Sequence, residues 1–86
     1  MGLSADDIAR LDARAREVGR RLHWEMHFQT DDDPAFAGVT AGARHVFIMG
    51  PARLSDLTRE SVEAILDALA AGTRRIVDGD GVPHLI

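Results

Sequence analysis

Cysteine, lysine, asparagine and tyrosine are all missing from the 86 residues. The first absence excludes disulfides, thiolate zinc sites and cysteine nucleophiles together, and it fits a reducing, cytoplasmic setting. All ten cations are arginine; losing the residues with AT-rich codons points to a GC-rich bacterial or phage genome and carries no mechanism. No apolar run approaches the roughly 18 residues of a membrane span, and the stretch from Met1 to Asp7 lacks the basic start and apolar core of a secretory leader. Catalytic signatures are missing too. No G-x-S-x-G surrounds Ser4, Ser55 or Ser61. The segment from Gly38 to Arg44 lacks the lysine of a phosphate loop, and Asp78-Gly79-Asp80-Gly81 lacks the later ligands of a calcium loop.

Hydrophobic residues make up 45% and charged residues 28% of the chain, the balance of one globular domain over residues 1–86. A chain this short buries a thin core, so a homodimer or a bound partner is expected to thicken it. The net charge of −4 disfavours phosphate binding and favours a partner with a basic surface. Arg10, Arg14 and Arg21 do align along the first helix, but Asp6, Asp12 and Glu17 each precede an arginine by four. No aromatic platform accompanies them, so no nucleic-acid groove is expected.

Leu3-Ser4-Ala5-Asp6-Asp7-Ile8 reads as a helix start, with Ser4 as the cap, Asp7 reaching back, and Leu3 packed on Ile8. Ile8, Leu11, Ala15, Val18 and Leu22 form one apolar stripe. The helix is predicted over Ala5 to Val18, with Gly19 ending it. From Leu22 to Gln29 a strand then places Leu22, Trp24, Met26 and Phe28 on one face and His23, Glu25, His27 and Gln29 on the other. Asp31-Asp32-Asp33-Pro34 ends this strand, and Ala35 to Ala43 reads as a long small-residue loop. His45 to Met49 reads as a central strand cut by Gly50-Pro51. A second helix starts at Thr58, with Leu57 packed on Val62, or one turn earlier at Ser55; it buries Val62, Ile65, Leu66 and Leu69 and stops at Gly72. Arg74 to Val77 and Val82 to Ile86 flank a turn and make a hairpin whose Pro83 requires an edge position. The result is an α+β fold, order α-β-β-α-β-β, with two helices on one face of a small, mainly antiparallel four-stranded sheet. The halves share a faint internal likeness of capped helix, glycine, arginine pair and strand.

If both helices cover the side bearing Trp24, Met26, Val46 and Ile48, the other side presents His27, His45, Phe47 and Met49. An apolar patch with a polar border suits a protein partner or a dimer contact. Asp56, Glu60, Glu63 and Asp67 recur at helical spacing as an acidic ridge, the second expected partner contact, which also steers the domain toward basic surfaces. The expected function is a small non-catalytic adaptor, regulator or inhibitor, phage-encoded or host, without a cofactor. The alternative is a metal-dependent enzyme or metal sensor using His23, Glu25 and His45. In an extended strand His23 and His27 stand about 13 Å apart, too far to share an ion, so His45 must come from a neighbouring strand.

Overall fold

A computed structural model describes residues 2–31 and 35–86. Helix α1 (Ala5–Leu22) begins with the expected capping box: the Asp7 N–H donates to Ser4 Oγ, and the Ser4 N–H donates to the Asp7 carboxylate, both at 3.1 Å. Its stripe of Leu11, Ala15 and Val18 is buried. The helix does not stop at Gly19 as the sequence suggested; it continues through Arg20 and Arg21 to Leu22 and is closed by His23 in the left-handed conformation (φ 61°). Gly19 serves packing instead of termination. A Cβ placed there would stand 2.5 Å from the Trp24 carbonyl oxygen and 3.0 Å from Met26 Cβ. The bare α-carbon therefore lets the returning chain lie against the helix, and the Trp24 N–H donates to the Gly19 carbonyl at 2.9 Å.

Strand β1 (Met26–Thr30) pairs antiparallel with β2 (Phe36–Ala41), which pairs antiparallel with β3 (Val46–Arg53). The segment read as a loop is thus the central strand of a three-stranded sheet. Its alanines and glycine have poor intrinsic strand preference, but this strand is buried throughout from Ala37 to Ala41, and small residues are what its crowded position admits. The strand expected from Leu22 onward forms only in its second half: Met26 and Phe28 are buried while His27 and Gln29 turn to the other face. Leu22 belongs to α1, His23 caps it, and Trp24 and Glu25 connect the cap to β1. Of the expected acidic break, Asp32, Asp33 and Pro34 lie outside the described residues. Strand β3 runs past the expected stop at Gly50-Pro51, with register shifts against β2.

A 3₁₀ turn (Leu54–Asp56) leads to helix α2 (Arg59–Ala71), capped by Thr58 and Ser61 and ending at Gly72 as expected. Strands β4 (Ile76–Gly79) and β5 (Val82–Leu85) form a separate two-stranded hairpin, so the four-stranded single sheet resolves into a three-stranded sheet and a hairpin. The order is α-β-β-β-α-β-β, and the α+β class stands. The internal likeness fails, since the first glycine and arginine pair lie inside a helix and the second pair follows one. Asp80 (φ 54°) and Gly81 (φ 79°) make the two-residue turn of the hairpin, the geometry of a type I′ connection. Pro83 stands opposite Asp78 in a strand with one partner, so its missing N–H leaves no ladder bond unmade.

Leu11, Ala15 and Val18 of α1, Val62, Leu66 and Leu69 of α2, and Met26, Phe28, Ala37, Val39 and Ala41 of the sheet close one core. Both helices therefore serve the same sheet face. Among the described residues no helix is long and apolar enough to cross a membrane.

Gly19→Ala tests the close approach, because helix propensity and packing oppose each other there. Alanine gains about 1 kcal/mol of propensity in a helix interior, whereas overpacking against a backbone oxygen costs about 1–3 kcal/mol. The expected outcome is a lowered melting temperature; a raised one would remove the contact from the account.

Candidate functional site

The sheet face turned away from the helices carries His27 and Gln29 of β1, Thr40 of β2 and Phe47 of β3; His27 stands opposite Thr40, and Thr40 opposite Phe47. Thr40 is wholly buried although no helix lies over it, and its hydroxyl donates to the Gln29 side-chain oxygen at 3.3 Å. A single layer of side chains therefore covers the strand. Phe47 sits against Gly38: a Cβ at Gly38 would fall 2.8 Å from Phe47 Cδ1 and 2.2 Å from the Met49 carbonyl oxygen. The missing side chain gives the ring its seat. Phe47 is half-buried without joining the hydrophobic residues packed on the core.

Met49 behaves differently from the expectation. Thr40 pairs with Phe47 and Val39 with Met49, so one step along β2 matches two along β3. That bulge resets the alternation after Phe47, and Met49, like Ile48, packs against the core. Phe47 is left as the apolar member of the outward face among the residues singled out there.

His45 ends the turn between β2 and β3 in the left-handed conformation (φ 55°). Its ring lies against that of His27, with centroids 5.2 Å apart and planes tilted by 35°. His27 and His45 thus stand together, with Thr40 between His27 and Phe47. Asp12 of α1 joins it from the edge. Its Oδ1 accepts from the Phe28 N–H at 3.1 Å and stands 3.6 Å from His27 Nδ1, while its Oδ2 accepts from Arg16 Nε at 3.0 Å. The backbone bond from Gly42 N–H to the Glu25 carbonyl turns the main-chain groups of odd-numbered β1 residues toward β2, so the Phe28 N–H points out of the sheet edge. One carboxylate therefore closes an edge donor and braces a histidine of the open face. Sequence reading assigned Asp12 to Arg16 alone; its other contacts depend on how α1 crosses β1.

The metal alternative gains no geometry. His23 stands at the backbone cap of α1 and not on a strand, Glu25 precedes β1, and His45 meets His27 instead. Among the described residues no three histidine, aspartate or glutamate side chains gather where they could hold a metal ion.

The acidic ridge is broken into two parts. Asp56 falls in the 3₁₀ turn ahead of α2, not on the helix. Glu63 forms an ion pair with Arg59 at 3.6 Å, and Asp67 meets Arg14 of α1 at 3.2 Å. Asp56 and Glu60 are exposed and form no ion pair among the described residues. Arg59 also reaches Asp7 at 3.8 Å, linking the ridge to the start of α1. The Asp7 carboxyl is held below the usual aspartate range, first by the Ser4 N–H, then by the Ser4 hydroxyl, with Arg59 and Arg10 adding attraction.

No family model matches the chain, and neither a curated protein nor a solved structure shows significant similarity to it.

The lowered Asp7 value fixes a sign. Below its ordinary range the unfolded chain binds a proton that the folded chain still refuses, so folding loses stability as pH falls through that window. Asp7→Asn is expected to lower stability near neutrality and to flatten the acid limb of melting temperature against pH. An acid limb unchanged by the substitution would dismiss the capping carboxylate as its source.

Proposed function

We propose that this chain is a small non-catalytic binding module, an adaptor, regulator or inhibitor that docks a larger protein through the open sheet face. The observation that carries this reading is Phe47: a half-buried aromatic ring seated on Gly38, on a sheet face that also carries His27, Gln29 and Thr40. An aromatic anchor held in place by its own sheet, with polar groups at its rim, is the arrangement that concentrates binding energy in protein interfaces. Side chains already fixed by neighbours also lose less freedom on docking. The setting this reading assumes is cytoplasmic.

The exposed carboxylates Asp56 and Glu60 play a different part. Both helices lie on the far side of the sheet, so a flat partner seated on Phe47 does not also seat on the outer face of α2. Negative charge there, with the net −4, favours a basic partner through long-range attraction and speeds encounter without adding contact.

The test is co-purification of a tagged chain from the source organism, followed by affinity measurement with the recovered partner. Phe47→Glu, checked for wild-type melting temperature, is expected to weaken binding by roughly tenfold or more. Charge reversal at Asp56 and Glu60 together is expected to slow association and reduce its salt dependence while leaving dissociation unchanged. Binding that survives Phe47→Glu would refute docking at this face.

A further inference from the structure

The β4–β5 hairpin holds a second surface, separate from the open face. Among the described residues β4 pairs with β5 alone, and β5 is the strand of the hairpin that approaches β3. Arg75 and Ile86 exchange both main-chain hydrogen bonds, at 3.1 and 2.9 Å. By the alternation of an antiparallel ladder, the groups of Val77 then face β5, and those of Ile76 and Asp78 face outward along a free edge. No proline or bulge interrupts this edge, so it retains the pairing capacity that proteins usually block.

The charge order along that edge decides what fits it. Arg74 and Arg75 come first, Ile76 and Val77 follow, and Asp78 and Asp80 come last. Arg75, Asp78 and Asp80 are exposed and form no ion pair among the described residues. Arg74 donates Nε to the Ile86 carbonyl at 3.0 Å, leaving its terminal nitrogens without an ion pair. A parallel copy of the strand would set arginine against arginine. An antiparallel copy reverses the order and sets each arginine end against an aspartate end.

We propose that β4 pairs antiparallel with β4 of a second copy of this chain, about a two-fold axis at Val77, forming a homodimer. In this register Ile76 and Asp78 exchange main-chain hydrogen bonds with Asp78 and Ile76 of the other copy. Arg74 stands opposite the other Asp80, and Val77 opposes itself. The outward main-chain groups required are those that the ladder leaves free. The apolar side chains agree. Among the described residues, Val77, Val82 and Ile86 are the large hydrophobics that stand exposed, at 37%, 39% and 53%. The pairings Val77 with His84, Gly79 with Val82 and Arg75 with Ile86 place all three on one face of the hairpin. Joining two hairpins merges these into one stripe across a four-stranded sheet, with the same patch used on both copies as a two-fold contact requires.

Sedimentation velocity over a wide concentration range tests this. The wild-type chain is expected to pass from monomer to dimer as concentration rises; a monomer at every concentration overturns the proposal. Arg74→Glu and Asp80→Lys each set like charges opposite one another at both ends and are expected to weaken self-association by roughly tenfold or more. An equimolar mixture of the two variants restores opposite charges at both ends and is expected to regain dimer as a heterodimer. Misfolding of either variant would not produce that rescue. Single variants that dimerise like wild type, or a mixture that stays monomeric, overturn the register. Phe47→Glu is expected to keep the wild-type dimer, and a monomeric Phe47→Glu would place the contact on the open sheet instead.

Discussion

The nearness of α1 to β1 governs what the rest of the molecule can present. At one end, Gly19 lets the Trp24 carbonyl and Met26 lie against the helix at distances no side chain would tolerate. At the other end, Asp12 accepts the outward N–H of Phe28. Together these contacts seat the helix on the sheet edge and commit Met26 and Phe28 to the core. A buried or half-buried backbone donor needs a partner, and supplying it from a helix carboxylate makes the edge of β1 a closed one.

The opposite face follows from this commitment. With both helices on one side, β2 must be covered on its other side by whatever the strands themselves carry. Gly38 leaves room for Phe47, Gln29 holds the Thr40 hydroxyl, and His27 rests between His45 and Asp12. The same carboxylate thus ties α1 to the edge of β1 and stands beside His27 on the open face. A thin fold of this kind has two kinds of free surface: a sheet face whose side chains are pre-placed by short-range packing, and a hairpin edge whose main chain is unpaired. Placing a foreign partner on the first and a second copy on the second uses each for the chemistry it offers, aromatic anchoring in one case and backbone pairing in the other.

Much of the fold was legible wherever its cause was local. Ser4 with Asp7, and Thr58 with the Leu57–Val62 pair, announce helix starts within a few residues. The Asp80-Gly81 turn needs only its own backbone, and the alternation from Met26 to Gln29 is a property of one strand, whereas the residues from Leu22 to Glu25 were claimed by the longer helix and its exit. The features that sequence reading mistook depend on distant chain. Gly19 looked like a helix stop because glycine commonly is one, yet its reason lies in Trp24 and Met26 after the chain has doubled back. Ala37, Gly38 and Ala41 looked like loop because their small size reflects what packs above and below them, not a preference of their own. Met49 was assigned to the open face by counting twos, and a bulge that exists only in the pairing with β2 reversed it. His45 beside His27 was foreseen as a cross-strand possibility, whereas Asp12 beside His27 required knowing the path of α1.

The amide exchange rate of Phe28 tests the seating of α1 most directly, because the donor lies on an outer strand edge and has no strand partner of its own. Exchange in the wild-type chain is expected to be slower by roughly tenfold or more than in Asp12→Ala, the effect of one charge-assisted hydrogen bond, while Gln29, which bonds toward β2, changes little. A Phe28 amide that exchanges equally fast in both proteins would contradict the clamp between helix and strand.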